Sequence, residues 1–289
     1  MHPDSSRRFD PFRRLNAAER AEHLAGYLRY LHTRDGEIDV GRATLSRREA
    51  WFDELDEKPV EWLGELDLEG FYAHYRDEGT PDIDDRTVWL VAAAKANIGE
   101  SYGVEIELRR FFRNPDLAAD ADPLYLHLML QEHYHTRILR ALCSTCGLEP
   151  ERRVPSTIQR FVIHLMMYLP ERVRWIPILA GEVLGSEVFK LLREGTRLFD
   201  AQPEVRERLD TLLGEIWTDE AFHIAYLRAK VGPWGVKVAR WLLPLVAWSV
   251  MRDVSQLYRL GWTRKTVLER LGRGIEVPPG ADWMDAKAV

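Results

Sequence analysis

The chain has 289 residues, 46% of them apolar, enough to bury one large core with extensions. A net charge of −6 and a pI of about 5.9 give no electrostatic reason to expect a nucleic-acid partner. Two cysteines, Cys143 and Cys146, are too few for a disulfide framework and fit a reducing cytoplasm.

In chain order, residues 1–14 are polar, basic and proline-containing, and read as an arm. Ser6-Arg7-Arg8-Phe9 has the look of a twin-arginine export signal. The apolar run such a signal needs is missing, since Asp10-Pro11-Phe12-Arg13-Arg14 follows, so a cytoplasmic location is expected. No segment offers roughly 20 uninterrupted apolar residues to span a bilayer. Asn16 and Glu19 form a capping-box pattern that opens a helix to about His32, ended by Arg34-Asp35-Gly36. Residues 44–77 predict two or three short helices anchored by Trp51, Phe52, Leu55, Trp62, Leu66, Phe71 and Tyr75. Their other faces are charged, as suits a layer packed outside a bundle.

After a break at Gly79-Thr80-Pro81, a first long helix spans about 84–112 and is stopped by Asn114-Pro115. Asp122-Pro123 starts a second, which runs to about Cys146 with Gly147 as its stop. A strongly apolar helix follows over 157–169, opened by Pro155-Ser156. A third long helix covers about 172–199, with Pro177 in its first turns, and a fourth runs from Pro203 to about Lys230. Gly232-Pro233 separates two further helices, about 234–251 and 253–271, and an irregular tail from Gly272. Almost nothing alternates with a period of two, so the fold reads all-α. The expected division is an N-terminal helical extension (1–83), a four-helix bundle (84–231) and C-terminal helices with a tail (232–289).

Each long helix carries one piece of a pattern: Glu100 on the first, Glu132 and His135 on the second, Glu182 on the third, Glu220 and His223 on the fourth. Glu-x-x-His puts both side chains on one helix face. Counted from the connecting turns, Glu100 is level with Glu132, and Glu182 with Glu220, in two antiparallel hairpins. Their surroundings are small or apolar, as at Ala93, Ala96, Gly103, Gly181 and Gly185, where carboxylates are costly unless paired or metal-bound. Six such ligands are the set with which helical bundles hold two metal ions. Carboxylate oxygens with two imidazoles suit iron or manganese, so two Fe ions are expected, with an Fe/Mn pair as the variant. Glu132 and Glu182 are the expected bridges, Glu100 and Glu220 terminal ligands, and His135 and His223 one to each metal. Glu187 is the rival to Glu182. Asp219 is expected to accept the second ring N–H of one histidine, and Gln131 that of the other. Ser186, one turn after Glu182, either donates to bound oxygen or bonds back to the preceding turn.

These residues resemble the ferritin-like diiron carboxylate superfamily over roughly 85–230, and locally its oxygen-activating branch. That branch holds the hydroxylase subunits of bacterial multicomponent monooxygenases, the ribonucleotide reductase small subunit, acyl carrier protein desaturases and arylamine N-oxygenases. Gly99-Glu100-Ser101-Tyr102 is similar to the first-helix ligand segment of the monooxygenases. Gly181-Glu182 with Ser186 is similar to their third-helix segment, and Asp219-Glu220-x-x-His223 to the family's Asp-Glu-x-x-His. Gln131 stands where the family places a second Asp, and Ile216 where the N-oxygenases carry a further histidine. The resemblance implies a ferritin-like four-helix bundle and an enzyme, a monooxygenase or oxidase. It would activate O2 to oxidise a small organic substrate in an apolar pocket by hydroxylation, desaturation or N-oxygenation. No flavin, NAD or iron–sulfur motif is present, so an external electron donor, a ferredoxin or reductase, is implied, and a homodimer is compatible. The alternative is a ferritin- or rubrerythrin-like iron-binding or oxidative-stress protein.

Other candidates carry less. His127, His133 and His164 read as structural or exposed rather than as ligands, and Glu105 and Glu107 as surface or outer-layer groups. A single Cys-x-x-Cys lacks the second pair that a zinc site needs. Tyr102 and Tyr125 are the tyrosines that could approach the site. The run 241–248, Trp-Leu-Leu-Pro-Leu-Val-Ala-Trp, is expected to pack in the core, with a tunnel wall or a membrane-surface contact as lesser readings.

Overall fold

A computed structural model describes residues 7–39, 42–78, 82–113 and 122–284. The helices, in order, are α1 (Ala17–Arg34), α2 (Ser46–Glu57), α3 (Leu68–Arg76), α4 (Asp85–Lys95), α5 (Ile98–Arg113), α6 (Pro123–Thr145), α7 (Thr157–Met167), α8 (Glu171–Gly195), α9 (Pro203–Asp253), α10 (Gln256–Arg259) and α11 (Arg264–Leu271). Two-residue strands form two antiparallel pairs, β1 (Arg8–Phe9) with β4 (Ile275–Glu276), and β2 (Ile38–Asp39) with β3 (Thr44–Leu45). The described chain is therefore all-α apart from these short pairs.

Local chemistry accounts for the starts. Asn16 Oδ1 accepts from the Glu19 N–H at 2.9 Å, and the Glu19 carboxylate accepts from the Asn16 N–H at 2.8 Å, closing the capping box. Asp84 caps α4 and Asp122 caps α6, the latter with Pro123 in the first turn. Ser156 and Gln159 make a second capping box on α7. The breaks expected at Gly79-Thr80-Pro81 and Asn114-Pro115 lie outside the described residues.

Four departures from the sequence reading have physical causes. The first long helix is interrupted at Ala96–Asn97. There the Ala96 N–H bonds back to Ala93 O at 3.3 Å, and Asn97 Nδ2 reaches across to Thr136 Oγ1 on α6 at 3.3 Å. The fourth helix does not stop at Lys230. It continues through an elbow at Gly232, whose φ of +69° and ψ of 179° lie in a region only glycine occupies readily. The N-terminal arm and the C-terminal tail pair with each other, burying Phe9 against Ile275, while the Arg228 guanidinium beneath donates to Asp10 O at 2.7 Å and Met284 O at 3.1 Å. Finally, the 241–248 run is only half core. Leu243 and Ala247 are buried, but Trp241 is 79% and Leu245 61% exposed.

Packing fixes the directions of the long helices. On α8 and α9, Trp175 meets Tyr226, Gly185 faces Glu220, and Arg193 pairs with Asp210, so the two run antiparallel. Phe111 on Tyr125 and Asn97 on Thr136 make α5 antiparallel to α6. Glu107 with Arg174 makes α5 antiparallel to α8, and His135 with Asp219 does the same for α6 and α9. The four therefore run up, down, down, up, and α7 lies in the crossover between the two parallel members. α1 lies against α9 through Tyr30 stacked on Phe222 and Tyr27 on Tyr226. One continuous core takes buried residues from all three expected segments, among them Leu31, Leu184 and Leu257.

Gly232→Ala is expected to cost about 1–3 kcal/mol, because a Cβ disfavours this backbone conformation. Urea denaturation checks this, and an unchanged midpoint would show that the elbow tolerates a side chain.

Candidate metal centre

The interruption at Ala96–Asn97 puts Glu100 in the first turn of α5, where the Asn97 carbonyl accepts the first helical bond from the Ser101 N–H at 2.9 Å. Glu132 and His135 come from the middle of α6, Glu182 from α8, and Glu220 and His223 from the part of α9 before its elbow. All six converge. One carboxylate oxygen from each of Glu100, Glu132, Glu182 and Glu220 lies within 4.8 Å of the others. Glu132 sits between the histidines, with Oε1 2.7 Å from His223 Nδ1 and Oε2 3.1 Å from His135 Nδ1. Glu182 Oε2 lies 3.2 Å from His223 Nδ1, and Glu220 Oε1 3.6 Å from His135 Nδ1. Gly185 makes room for Glu220, since a Cβ there would stand 3.2 Å from Glu220 Oε2.

The centre is dry. Both histidines are fully buried, Glu132 and Glu220 are 1% exposed and Glu182 4%, while Glu100 is half-buried. Among the described residues no lysine or arginine forms an ion pair with any of the four glutamates, and neither oxygen of Glu220 has a hydrogen-bond donor. Burial first, and the neighbouring carboxylates second, hold Glu100 and Glu220 well above the ordinary carboxyl range. Burial alone would lower His223, yet Glu132 and Glu182 hold it well above the ordinary imidazole value. His135 is raised too, by Glu132 and Asp219 against the same burial. Protons are thus drawn into a space that its own carboxylates make strongly negative. Orphaned buried oxygens and two imidazole nitrogens aimed at them fit divalent cations, and these buried groups could hold a metal ion.

The far ring nitrogens are fixed from behind, and across the helix pair. His135 Nε2 on α6 meets Asp219 Oδ2 on α9 at 3.1 Å, while His223 Nε2 on α9 meets Gln131 Oε1 on α6 at 2.9 Å. Both acceptors expected from sequence are therefore in place. Sequence reasoning missed what holds them. Gln131 Nε2 donates to Asp35 Oδ2 at 2.6 Å, which leaves its Oε1 to accept from His223 and from Tyr27 OH at 3.0 Å. Arg48, 2% exposed, donates to Asp35 Oδ1 at 2.6 Å and to both oxygens of Asp219 at 2.7 and 2.6 Å. Arg34 and Tyr30 also donate to Asp219 Oδ1, at 3.2 and 2.6 Å. Burial raises Asp219, but Arg48, Arg34 and His135 overcome it and hold the carboxyl well below its ordinary range. The expected outer layer at the N-terminus thus supplies the groups behind the site. No local motif advertises them, because each reaches α6 or α9 from more than 90 residues away.

The remaining candidates separate cleanly. Glu187 pairs with Arg270, while Glu182 belongs to the cluster of carboxylates. Ser186 is buried one turn from Glu182. His127 and His133 lie off the centre, and burial lowers His127 to about 4. His164 meets Tyr102 OH at 3.1 Å on an exposed face. Cys143 and Cys146 are free and buried, and burial pushes both thiols up to about 12, so neither is a ready thiolate. Glu107 is buried and pairs with Arg174 at 2.5 Å.

No family model matches this chain, and no curated protein or solved structure matches it either.

Two outcomes are expected. Arg48→Ala leaves Asp35 buried with its ion partner gone and Asp219 short of its main one, at a cost of about 3–5 kcal/mol; chemical denaturation measures it. In the metal-free protein, Glu100 and Glu220 titrate higher folded than unfolded, so stability falls as pH rises above the unfolded value of 4.5. The stability contributed by raised His135 and His223 is full below 6.5 and is lost as pH climbs through their folded values. Both act in the same direction, while His23, His127 and His133, which burial lowers, act against them up to pH 6.5. Melting of the metal-free chain should therefore drop from pH 7 to pH 8, and a flat profile there would contradict the burial of His135 and His223.

Proposed function

We propose that this protein is a ferritin-like dinuclear non-haem iron enzyme, an oxygenase or oxidase that uses O2 to oxidise a small organic substrate. The observation that carries the reading is the buried convergence of four glutamates and two imidazole Nδ1 atoms from four helices, with no ion-pair partner among the described lysines and arginines. The up-down-down-up course of α5, α6, α8 and α9, with a crossover between α6 and α8, supports the ferritin-like assignment. One core runs through the N-terminal layer, the bundle and the C-terminal helices.

His135 and His223 would each hold one iron. Glu132 lies between the two imidazoles, and Glu220, though on the helix of His223, reaches toward His135. Glu132 would thus serve both ions, Glu220 the one at His135 and Glu182 the one at His223; the sequence reading has Glu182 as the second bridge beside Glu132. Glu182 stands with His223 as a ligand to one side, and Glu100 completes the set. When bound, two reduced iron ions supply the electrons that O2 activation needs, and manganese at one position would serve the same ligands.

The chain's own residues do the rest. Asp219 and Gln131 keep the Nε2 protons of His135 and His223 on the outer side, leaving each Nδ1 lone pair inward. Ser186, buried one turn after Glu182 on α8, would be the hydroxyl donor available beside that ligand. A cavity of about 1360 Å³ lies at one end of the bundle and is the candidate substrate space. Glu107, Tyr125 and Trp175 in its wall lie one heptad from Glu100, Glu132 and Glu182 along their helices, about 10 Å away by helical rise. Its lining is mixed, with the ion pairs Arg174–Glu107 and Lys230–Asp122 beside the aromatic groups, rather than the plainly apolar pocket expected. Re-reduction would come from an external ferredoxin or reductase.

Anaerobic loading with ferrous ion followed by metal analysis should give two irons per chain, and mixing with O2 should give O2 uptake. Glu132→Ala should lose both ions, and Asp219→Asn should weaken metal affinity about 10- to 100-fold. A chain that binds no iron, or that carries iron inert to O2, would sink the reading, while elution as a large cage would reassign it to iron storage.

A further inference from the structure

Two helices present apolar side chains to solvent, one of them α7, which packs on α5 beside Glu100 with His164 on Tyr102 and Ile163 near Gly103. α7 contains no buried residue, yet Ile158, Phe161, Val162 and Leu165 share one of its faces, with Phe161 68% exposed. Past the Gly232 elbow, Trp234, Trp241, Leu245 and Trp248 recur at helical spacing on one stripe of α9, about 21 Å long by helical rise, with Trp234 71% exposed. The two helices are tied at one end, where Gln159 Nε2 donates to the Asp253 carboxylate, and border one cavity at the other, where Tyr168 and Leu169 line it with Val231 and Gly232. Exposed apolar stripes of this kind mark surfaces that are covered in use.

Charge says by what. In a chain of net charge −6, no Asp or Glu occurs between Arg153 and Pro170, or between Val231 and Arg252. The charges in those stretches are basic. Lys237 and Arg240 are exposed beside the tryptophan stripe, Arg160 lies on α7, and Arg252 lies 4.8 Å over the Trp248 ring. Tryptophan with flanking Lys and Arg on an amphipathic helix is the composition that sits in the headgroup layer of a bilayer, rings at the acyl boundary and cations on anionic phosphates. No described helix is long and apolar enough to cross a membrane, so contact would be with the surface only.

We propose that the exposed faces of α7 and of α9 beyond Gly232 form a docking surface for an anionic lipid bilayer. The inference goes beyond the iron chemistry and does not depend on it. The test is co-sedimentation of the full chain with vesicles of phosphatidylcholine alone and of phosphatidylcholine with phosphatidylglycerol. The expected result is binding to the phosphatidylglycerol vesicles, weakened by salt and accompanied by a blue shift of tryptophan emission. Trp241→Glu and Phe161→Glu alter exposed positions, so folding should survive, as circular dichroism would verify. Each should weaken vesicle binding at least about tenfold. Equal binding to both compositions, no binding to either, or binding unmoved by Trp241→Glu would overturn the proposal. So would a chain that ignores vesicles but forms a dimer broken by Trp241→Glu, which would assign the face to a second copy.

Discussion

Four carboxyl groups that meet within 4.8 Å, three of them buried, must be neutralised by protons or by cations. That constraint organises the molecule. It explains why helices as distant in sequence as α5 and α9 must meet, why Gly185 lacks a side chain beside Glu220, and why both buried imidazoles hold protons more tightly than free histidine. Protonated side chains are a weak answer to such a concentration of negative charge. Two divalent cations on the proposed reading would neutralise all four glutamates and release the histidines to act as neutral ligands.

Behind this centre, Arg48 does at one position what two separate residues could have done. Its guanidinium reaches Asp219, which fixes His135 directly, and Asp35, which fixes His223 through Gln131. The two imidazoles are therefore oriented by a single buried cation carried on α2, outside the four long helices. Planar, bidentate donors suit a task that a lysine could not perform with the same geometry. The N-terminal layer is thereby part of the site's construction, and its packing on α9 through Tyr27 and Tyr30 aligns that network with the helix carrying Asp219 and His223.

What could be read from sequence was whatever is encoded within one or two helical turns. The caps at Asn16 and Asp122 were legible because side chain and backbone partner lie within three residues, and the helices capped by Asp84 and Ser156 start where expected. The pairing of Glu with His on α6 and α9 was legible for the same reason, and level spacing along the hairpins was enough to choose Glu100 and favour Glu182. The break at Asn97 was not legible, because its cause is Thr136 on another helix. Nor was the pairing of Glu187 with Arg270 in α11, or the role of Arg48, whose partner Asp219 is 171 positions away. The exposure of Trp241 escaped for a different reason. An apolar run with helical periodicity reads the same whether a neighbour covers it or not.

On the proposed reading Gln131 is one position, with Ile216, where the chain departs from the family's pattern, and the charge balance gives a reason for it. Asp219, Asp35 and Glu215 already face only Arg34 and Arg48 in the layer behind the centre. A second aspartate at position 131 would add another buried negative charge within reach of His223, with no further cation among the described residues to match it. A neutral amide avoids that cost and still presents an oxygen to the ring N–H. It does so only if its NH2 end is held the other way, and Asp35 at 2.6 Å holds it. The charge that the pattern places next to the histidine is here moved one layer outward, onto Asp35 and its arginine. On the proposed reading that makes His223 the less electron-rich of the two imidazoles, its Nε2–H facing an amide oxygen where that of His135 faces a carboxylate. Two metals with like donor counts would then sit in unlike fields, and that asymmetry belongs to the protein rather than to the ions.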